Sequence, residues 1–366
     1  MKPVKVGIIG CGAISKAYFE GSAKFKILEI IACADIDHER AKTQAEKFDI
    51  PQALSVEELI QHPDIEIIIN LTIPKFHASL NQTILNAGKH AYCEKPFGLD
   101  LPEAEETYRL AKEKNLRVGC APDTFLGGGG QTCRKLIDDG AIGDPIAATA
   151  FWASHGHENW HPNPSFYYQE GGGPMFDMGP YYLTALVNLL GPAVRISGST
   201  KKSFPTRTIT SEPFKGTVLP VEVPTHLTGT IDFANNLTAT IIMSFDVWGN
   251  HLPMLEIHGT EGTLCVPDPN DFEGTILLKK GREKEWTEIP HTHETNVGRG
   301  IGVADMAYAI RSGRPHRVNG EMALHVVEMM QSFEKSSDES RHLTLKTTCS
   351  QPQALPMNLP TGELDS

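Results

Sequence analysis

Long apolar runs, paired cysteine motifs and an excess of positive charge are all missing from this sequence. No apolar stretch approaches ~18 residues, so no transmembrane helix is expected and no membrane partner. The seven cysteines (Cys11, Cys33, Cys93, Cys120, Cys133, Cys265 and Cys349) are odd in number, scattered and never spaced C-x-x-C. That argues against a disulfide framework or a zinc knuckle and favours a reducing cytoplasm. Lys and Arg total 33 against 45 Asp and Glu, a net charge of −12. Phosphate-backbone binding needs clustered positive charge, so a nucleic-acid partner is not expected, although a few local donors suffice for a small anionic ligand. Gly7, Gly10 and Gly12 interrupt the N-terminal apolar stretch and no A-x-A-like site follows, so no secretion signal is read.

What is present is the composition of a globular protein: 366 residues, 40% hydrophobic and 21% charged, more readily two domains than one. Apolar, β-branched runs at 4–10, 27–35 and 65–73 predict buried strands, with helices at 13–25 and 37–48. Strand–helix pairs follow at 90–95 with 101–115, and at 117–120 with 130–139. Strands alternating with helices of this length imply βαβ units and a doubly wound parallel α/β sheet, expected over residues 1–122.

The first strand runs into Gly10-Cys11-Gly12-Ala13-Ile14-Ser15, and Asp35 ends the second strand. Gly10 permits the tight turn, and Gly12 lets the backbone approach a pyrophosphate at a helix N-terminus. Ser15 stands where the G-x-G-x-x-G/A pattern has glycine or alanine. Asp35 suits the ribose hydroxyls and repels a 2′-phosphate, which favours NAD, while Arg40 nearby leaves NADP possible. Thr72-Ile73-Pro74 routes backbone beside the cofactor, and His77 is read either as a ribose contact or as a cap of the next helix.

From about residue 146 the pattern changes. Segments 146–154, 225–234, 237–245, 254–260 and 274–280 alternate with period two, and Asn235-Asn236 reads as a hairpin turn. Helices are expected near 175–190, 299–312 and 319–335. This is a second, α+β domain over 123–345 with an open, mainly antiparallel sheet, whose free face a partner subunit would cover. Residues 346–366, with three prolines, are read as an arm or a disordered tail. Gly127 to Gly130 is taken as a flexible start to a helix.

Lys95, in Glu94-Lys95-Pro96, lies beyond the end of a parallel strand, where such sheets bind ligands. It can donate to a substrate oxygen or be a solvated surface lysine. Asp177 and Tyr181 are four apart, so a helix puts them on one face. The polar stretch HGHENWHPNP holds His155, His157 and His161. On a strand His155 and His157 share a face; no carboxylate or cysteine aligns with them, so substrate contacts are favoured over a metal site. Trp160 can stack on a sugar ring or on nicotinamide.

Together GIIGCGAIS, ADIDHERA, NLTIPKFHA, Glu94-Lys95-Pro96, the GGG…D-x-G block and HGTEGTL resemble the Gfo/Idh/MocA oxidoreductase family over nearly the whole chain. The resemblance implies an N-terminal Rossmann domain and a C-terminal domain with an open sheet. It also implies NAD(P)-dependent oxidation or reduction of a sugar, cyclitol or glycoside by a homodimer or homotetramer. It further implies a catalytic group formed by the lysine of E-K-P and the aspartate and histidine of D-x-G-x-H. Lys95 and Asp177 match; Tyr181 replaces the histidine. Three readings follow: Tyr181 is the base, a histidine of the 155–161 cluster takes that role, or Tyr181 only positions the substrate while Lys95 and Asp177 relay the proton. The rival functions are an NAD-using glycoside hydrolase or lyase that oxidises transiently, and a non-catalytic NAD and sugar sensor.

Overall fold

The computed structural model describes residues 1–365. Its first half is β1 (Val4–Ile9), α1 (Ser15–Ser22), β2 (Leu28–Ala34), α2 (His38–Lys47), β3 (Gln52–Leu54), α3 (Val56–Gln61), β4 (Ile67–Asn70), α4 (His77–Asn86), β5 (His90–Cys93), α5 (Leu101–Glu113), β6 (Val118–Cys120) and α6 (Gly128–Asp138). The six strands form one sheet in the order β3-β2-β1-β4-β5-β6, and every pairing is parallel. β1 and β4 are buried on nearly every residue, because helices cover both faces of such a sheet. Local chemistry starts the helices: Asp37 caps α2, and Ser55 with Glu58 and Asp100 with Glu103 form capping boxes on α3 and α5. The strand order reverses between β1 and β4, which opens a crevice at their carboxyl ends.

The second half is β7 (Pro145–Ala153), α7 (Gly173–Asp177), α8 (Gly179–Leu190), β8 (Ala193–Lys201), β9 (Thr206–Thr208), β10 (Val218–Pro220), β11 (His226–Phe233), β12 (Thr238–Ser244), β13 (Leu255–Gly259), β14 (Gly262–Val266), β15 (Ile276–Lys280), β16 (Thr287–Ile289), α9 (Ile301–Ser312), α10 (Gly320–Glu339) and β17 (Leu343–Thr344). Nine of these strands form a second sheet, β16-β15-β14-β13-β7-β12-β11-β8-β17. Only β7 and β12 run parallel; the other pairs are antiparallel. The expected open, mainly antiparallel sheet is therefore present. Asn236, at φ +67°, makes the predicted turn between β11 and β12. Helices α6, α7 and α10 pack against this sheet, while α9 returns to α1, β2 and β6 of the first.

Several expectations need correction. The helix near 175–190 is two helices, α7 and α8, meeting at Met178. Strands β3, β8, β9, β10, β14, β16 and β17 and helix α3 were not foreseen; short or half-exposed, they carry little periodicity. Gly127 to Gly130 is packed rather than flexible, since a side chain on Gly127 would sit 2.2 Å from the Phe272 carbonyl oxygen. The C-terminal segment is an arm: Cys349, Leu355 and Leu364 are buried, the Arg134 and Arg317 guanidiniums donate to its carbonyls, and Arg314 pairs with Asp365.

Candidate active site

At the carboxyl end of β1 the glycine turn leaves the strand. Gly10 has φ +102°, and a Cβ there would lie 2.6 Å from Leu71 backbone, so only glycine fits. A Cβ on Gly12 would meet nothing within 4 Å; that side of the turn faces open space. Ala13 and Ile14 are exposed beside it. Ser15 is buried and its hydroxyl donates to the Gly12 carbonyl at 2.7 Å, which accounts for serine at the pattern's third small position. The Asp35 carboxylate accepts from the Cys11 N–H at 2.7 Å and the Asp37 N–H at 2.9 Å. Arg40 reaches it at 3.4 Å. Gly10, Gly12, Asp35, Arg40, Thr72 and Ile73 line one cavity of about 510 Å³. Exposed Ile36, Ile73 and Phe76 rim it. Apolar walls, one carboxylate and a turn stripped of side chain fit a dinucleotide: the walls for the adenine, Asp35 for the ribose, the Gly12 turn for the pyrophosphate.

His77 does not reach that cavity. It is buried, with its ring nitrogens 2.8 Å from the Pro96 and Thr72 carbonyl oxygens. It ties the turn after β4, where Pro74 starts a short 3-10 turn, to the turn after β5. Glu94 is also internal: it accepts from the Tyr18 hydroxyl at 2.9 Å and from the Lys95 N–H at 3.0 Å, fixing the backbone that presents Lys95.

The Lys95 ammonium donates to the Asp177 carbonyl at 2.7 Å and to Asp177 Oδ1 at 3.1 Å. The other carboxylate oxygen, Oδ2, lies 2.9 Å from His157 Nε2. Asp177 thus joins a lysine from the first sheet to a histidine from the second. Burial opposes the charge on Asp177, but Lys95 and His157 outweigh it and hold the carboxyl below its usual range. Burial likewise opposes the Lys95 charge, yet Asp177, Tyr181 and Glu94 together keep the ammonium above its ordinary value.

Tyr181 is buried, with the Lys95 ammonium 5.3 Å from its ring centre. Its hydroxyl accepts from Arg299 Nη2 at 3.0 Å. Burial pushes the phenol up by more than the Lys95 and Arg299 cations pull it down. That disfavours the phenolate. Arg299 and its partner Asp123, 3.4 Å apart, were missed; no motif surrounds them.

The histidine cluster also divides differently from expectation. β7 ends at Ala153 and Gly156 turns the chain at φ +85°, so His155 and His157 do not share a strand face. His157 is buried against Tyr167, Phe245 and Trp160, at ring distances of 4.1, 4.7 and 5.3 Å. His155 turns away, stacks on Trp248 at 3.4 Å, and lies 3.3 Å from Arg207 Nη1. His161 Nδ1 accepts from the Asn163 N–H at 3.1 Å, and burial lowers its affinity for a proton. Trp160 is 59% exposed. Arg207 is a second residue missed: buried, it donates to Glu158 at 3.0 Å and pairs with Asp246, pinning the residue next to His157. Among the described residues no cluster of His, Cys, Asp and Glu is arranged to hold a metal ion.

Comparison with known proteins places this geometry. Residues 4–121 match the model of the oxidoreductase family NAD-binding Rossmann fold, and residues 131–265 that of the GFO/IDH/MocA C-terminal domain. A D-xylose dehydrogenase of Paenarthrobacter nicotinovorans is 23% identical over 328 residues, 82% of this chain and 83% of that protein. A trans-1,2-dihydrobenzene-1,2-diol dehydrogenase of Bos taurus is 26% identical over 316 residues, 83% of this chain and 86% of that one. Among solved structures, levoglucosan dehydrogenase in complex with NADH and L-sorbose superposes with a TM-score of 0.82 at 21% identity, covering 95% of this chain and 100% of that one. Sheet order, the glycine turn and these matches agree: the chain is an oxidoreductase of the GFO/IDH/MocA family with an NAD-binding Rossmann domain.

Proposed function

We propose that this enzyme oxidises a secondary alcohol of a sugar, cyclitol or glycoside, or runs the reverse reduction, with His157 rather than Tyr181 as the proton-transfer group. The observation that carries the proposal is the convergence of Lys95 and His157 on the two oxygens of Asp177. A carboxylate only accepts, so His157 carries its proton on Nε2, which donates to Oδ2. The Nδ1 lone pair then remains to take the hydroxyl proton of the substrate, and Asp177 stabilises the imidazolium that forms. Lys95 spends two N–H bonds on Asp177 and has a third for the substrate oxygen, where negative charge develops as the proton leaves. Bound nicotinamide would supply the hydride acceptor. Tyr181, its oxygen held by Arg299, keeps its own proton to donate to substrate; Trp160 and His161 line the approach to His157.

Asp35 supports NAD over NADP, and the seven free thiols suit the reducing cytoplasm. Among the described residues no helix is long and apolar enough to cross a membrane. The face of the second sheet carrying Thr228, Thr230, Thr240 and half-buried Ile242 is the surface we assign to a homodimer or homotetramer; light scattering at the monomer mass would rule that out.

The test is a panel of sugars, inositols and glycosides scored by NADH absorbance. His157→Gln should lower turnover by ~10³-fold and Lys95→Ala by ~10²-fold or more, with NAD affinity retained, whereas Tyr181→Phe should cost less than ~10-fold. Equal losses in Tyr181→Phe and His157→Gln would return the base to the phenol. Substrate consumed with no net NADH would point to transient oxidation instead.

A further inference from the structure

We propose that the mouth of this site carries an outer sugar subsite built on Trp248, so that the substrate is a glycoside of at least two rings rather than a free monosaccharide. The proposal rests on the dehydrogenase reading for the ring that is oxidised, and on its own geometry for the second ring.

Trp248 is 86% exposed, an unusual place for an indole. It is nevertheless not loose. Its ring lies on His155 at 3.4 Å and 13°, and His155 is backed by the buried Arg207 at 3.3 Å and by Phe204 at 6.2 Å. One face of the indole is therefore supported and the other is presented to solvent. The backbone beneath is paired as well: the Ser154 N–H donates to the Ser244 carbonyl at 2.9 Å, and the Val247 N–H to the Ser154 carbonyl at 3.0 Å. Because β7 and β12 run parallel, the loops that follow them leave the same edge of the sheet, and Trp248 and His157 sit on one lip. His155 and His157 are two residues apart, so their Cα atoms lie within ~7 Å of each other. The supported platform thus stands on the same edge of the sheet as His157.

An aromatic ring has a negative face that attracts polarised C–H groups, and the apolar face of a pyranose presents a set of them. Asn250 and His251, exposed on the same loop, supply hydrogen-bonding groups for hydroxyls at the ring edge. An indole clamped flat on one face and open on the other is suited to one more stacked ring.

The experiment compares hexose disaccharides with the corresponding free hexose on the wild type, Trp248→Ala and Trp248→Phe, by steady-state kinetics and by calorimetric binding to the NAD-loaded protein. The wild type should favour at least one disaccharide, with KM at least ~10-fold below that of the hexose. Trp248→Ala should raise that KM by ~10-fold, leave kcat and the hexose KM unchanged, and be largely rescued by phenylalanine. Equal effects on both sugars, no effect on either, or a wild type that binds no disaccharide would overturn the proposal. So would a change of oligomeric mass in Trp248→Ala, because the indole would then be a contact with a second copy. If no sugar reduces NAD while calorimetry still shows the Trp248-dependent preference, the dehydrogenase reading fails and the subsite stands.

Discussion

Asp177 accepts from Lys95 and His157 at once, and these two partners hold its carboxyl below the usual range against the effect of burial. Single residues of the glycine turn divide as sharply between fold and function. Gly10 is required by the backbone, whereas the space beside Gly12 is empty of protein. Gly12→Val should therefore fold with a melting temperature near that of the wild type and lose NAD affinity by at least ~10-fold, read by calorimetry with the coenzyme. Gly10→Ala forces a Cβ to 2.6 Å from the Leu71 backbone and should lower the melting temperature before any coenzyme is added. A Gly12→Val protein that binds NAD normally would remove the pyrophosphate from that turn.

Among the elements, the loop after β7 does most to shape the site. It has no regular structure, yet Glu158 within it is tied by its carbonyl to Thr210 and Ser211 N–H groups at 2.8 and 3.1 Å and by its carboxylate to Arg207 and Tyr168. Arg207 also neutralises buried Asp246. Arg207→Met leaves two buried carboxylates without a cation, a loss of about 3–5 kcal/mol. Chemical denaturation should show it, and turnover should fall further in the protein that remains folded, because the Glu158 anchor next to His157 is gone. Stability within ~1 kcal/mol of wild type would show the cluster to be relaxed by solvent. The sequence made the polarity of this loop visible, but its buried ion pair joins residues 49 and 39 positions apart, which no local pattern reports.

For the whole molecule, three histidines away from the site, buried His316 and His325 and half-buried His90, set the acid limit. Burial lowers His90, His316 and His325 to about 4. Each also accepts a hydrogen bond: His90 Nδ1 from the Arg117 N–H at 2.9 Å, His316 Nδ1 from the Arg117 guanidinium at 3.3 Å, and His325 Nε2 from the Ala193 N–H at 3.1 Å. Protonation would set N–H against N–H. Unfolded histidine titrates near 6.5, so between about 6.5 and 4 the unfolded chain binds more protons than the folded one. Stability is then full above pH 6.5 and is lost as pH falls toward 4. Melting temperatures from pH 7.5 to 4.5 should drop through that window, and less steeply in His325→Gln; a flat profile would contradict the neutral assignments.

By itself, the sequence determined the parallel sheet, the glycine turn and the place of Lys95 just beyond a parallel strand, because each is written in neighbouring residues: β-branched runs, G-x-G after a strand, an acid at a strand end. Which imidazole meets Asp177 was decided only by the tertiary structure. His157 and Asp177 are brought together by the end of β7, the turn at Gly156 and the break between α7 and α8, and the Tyr181 hydroxyl is engaged by Arg299, 118 residues away. Proton transfer depends on distances of a few ångströms between groups remote in the chain, and only packing sets those.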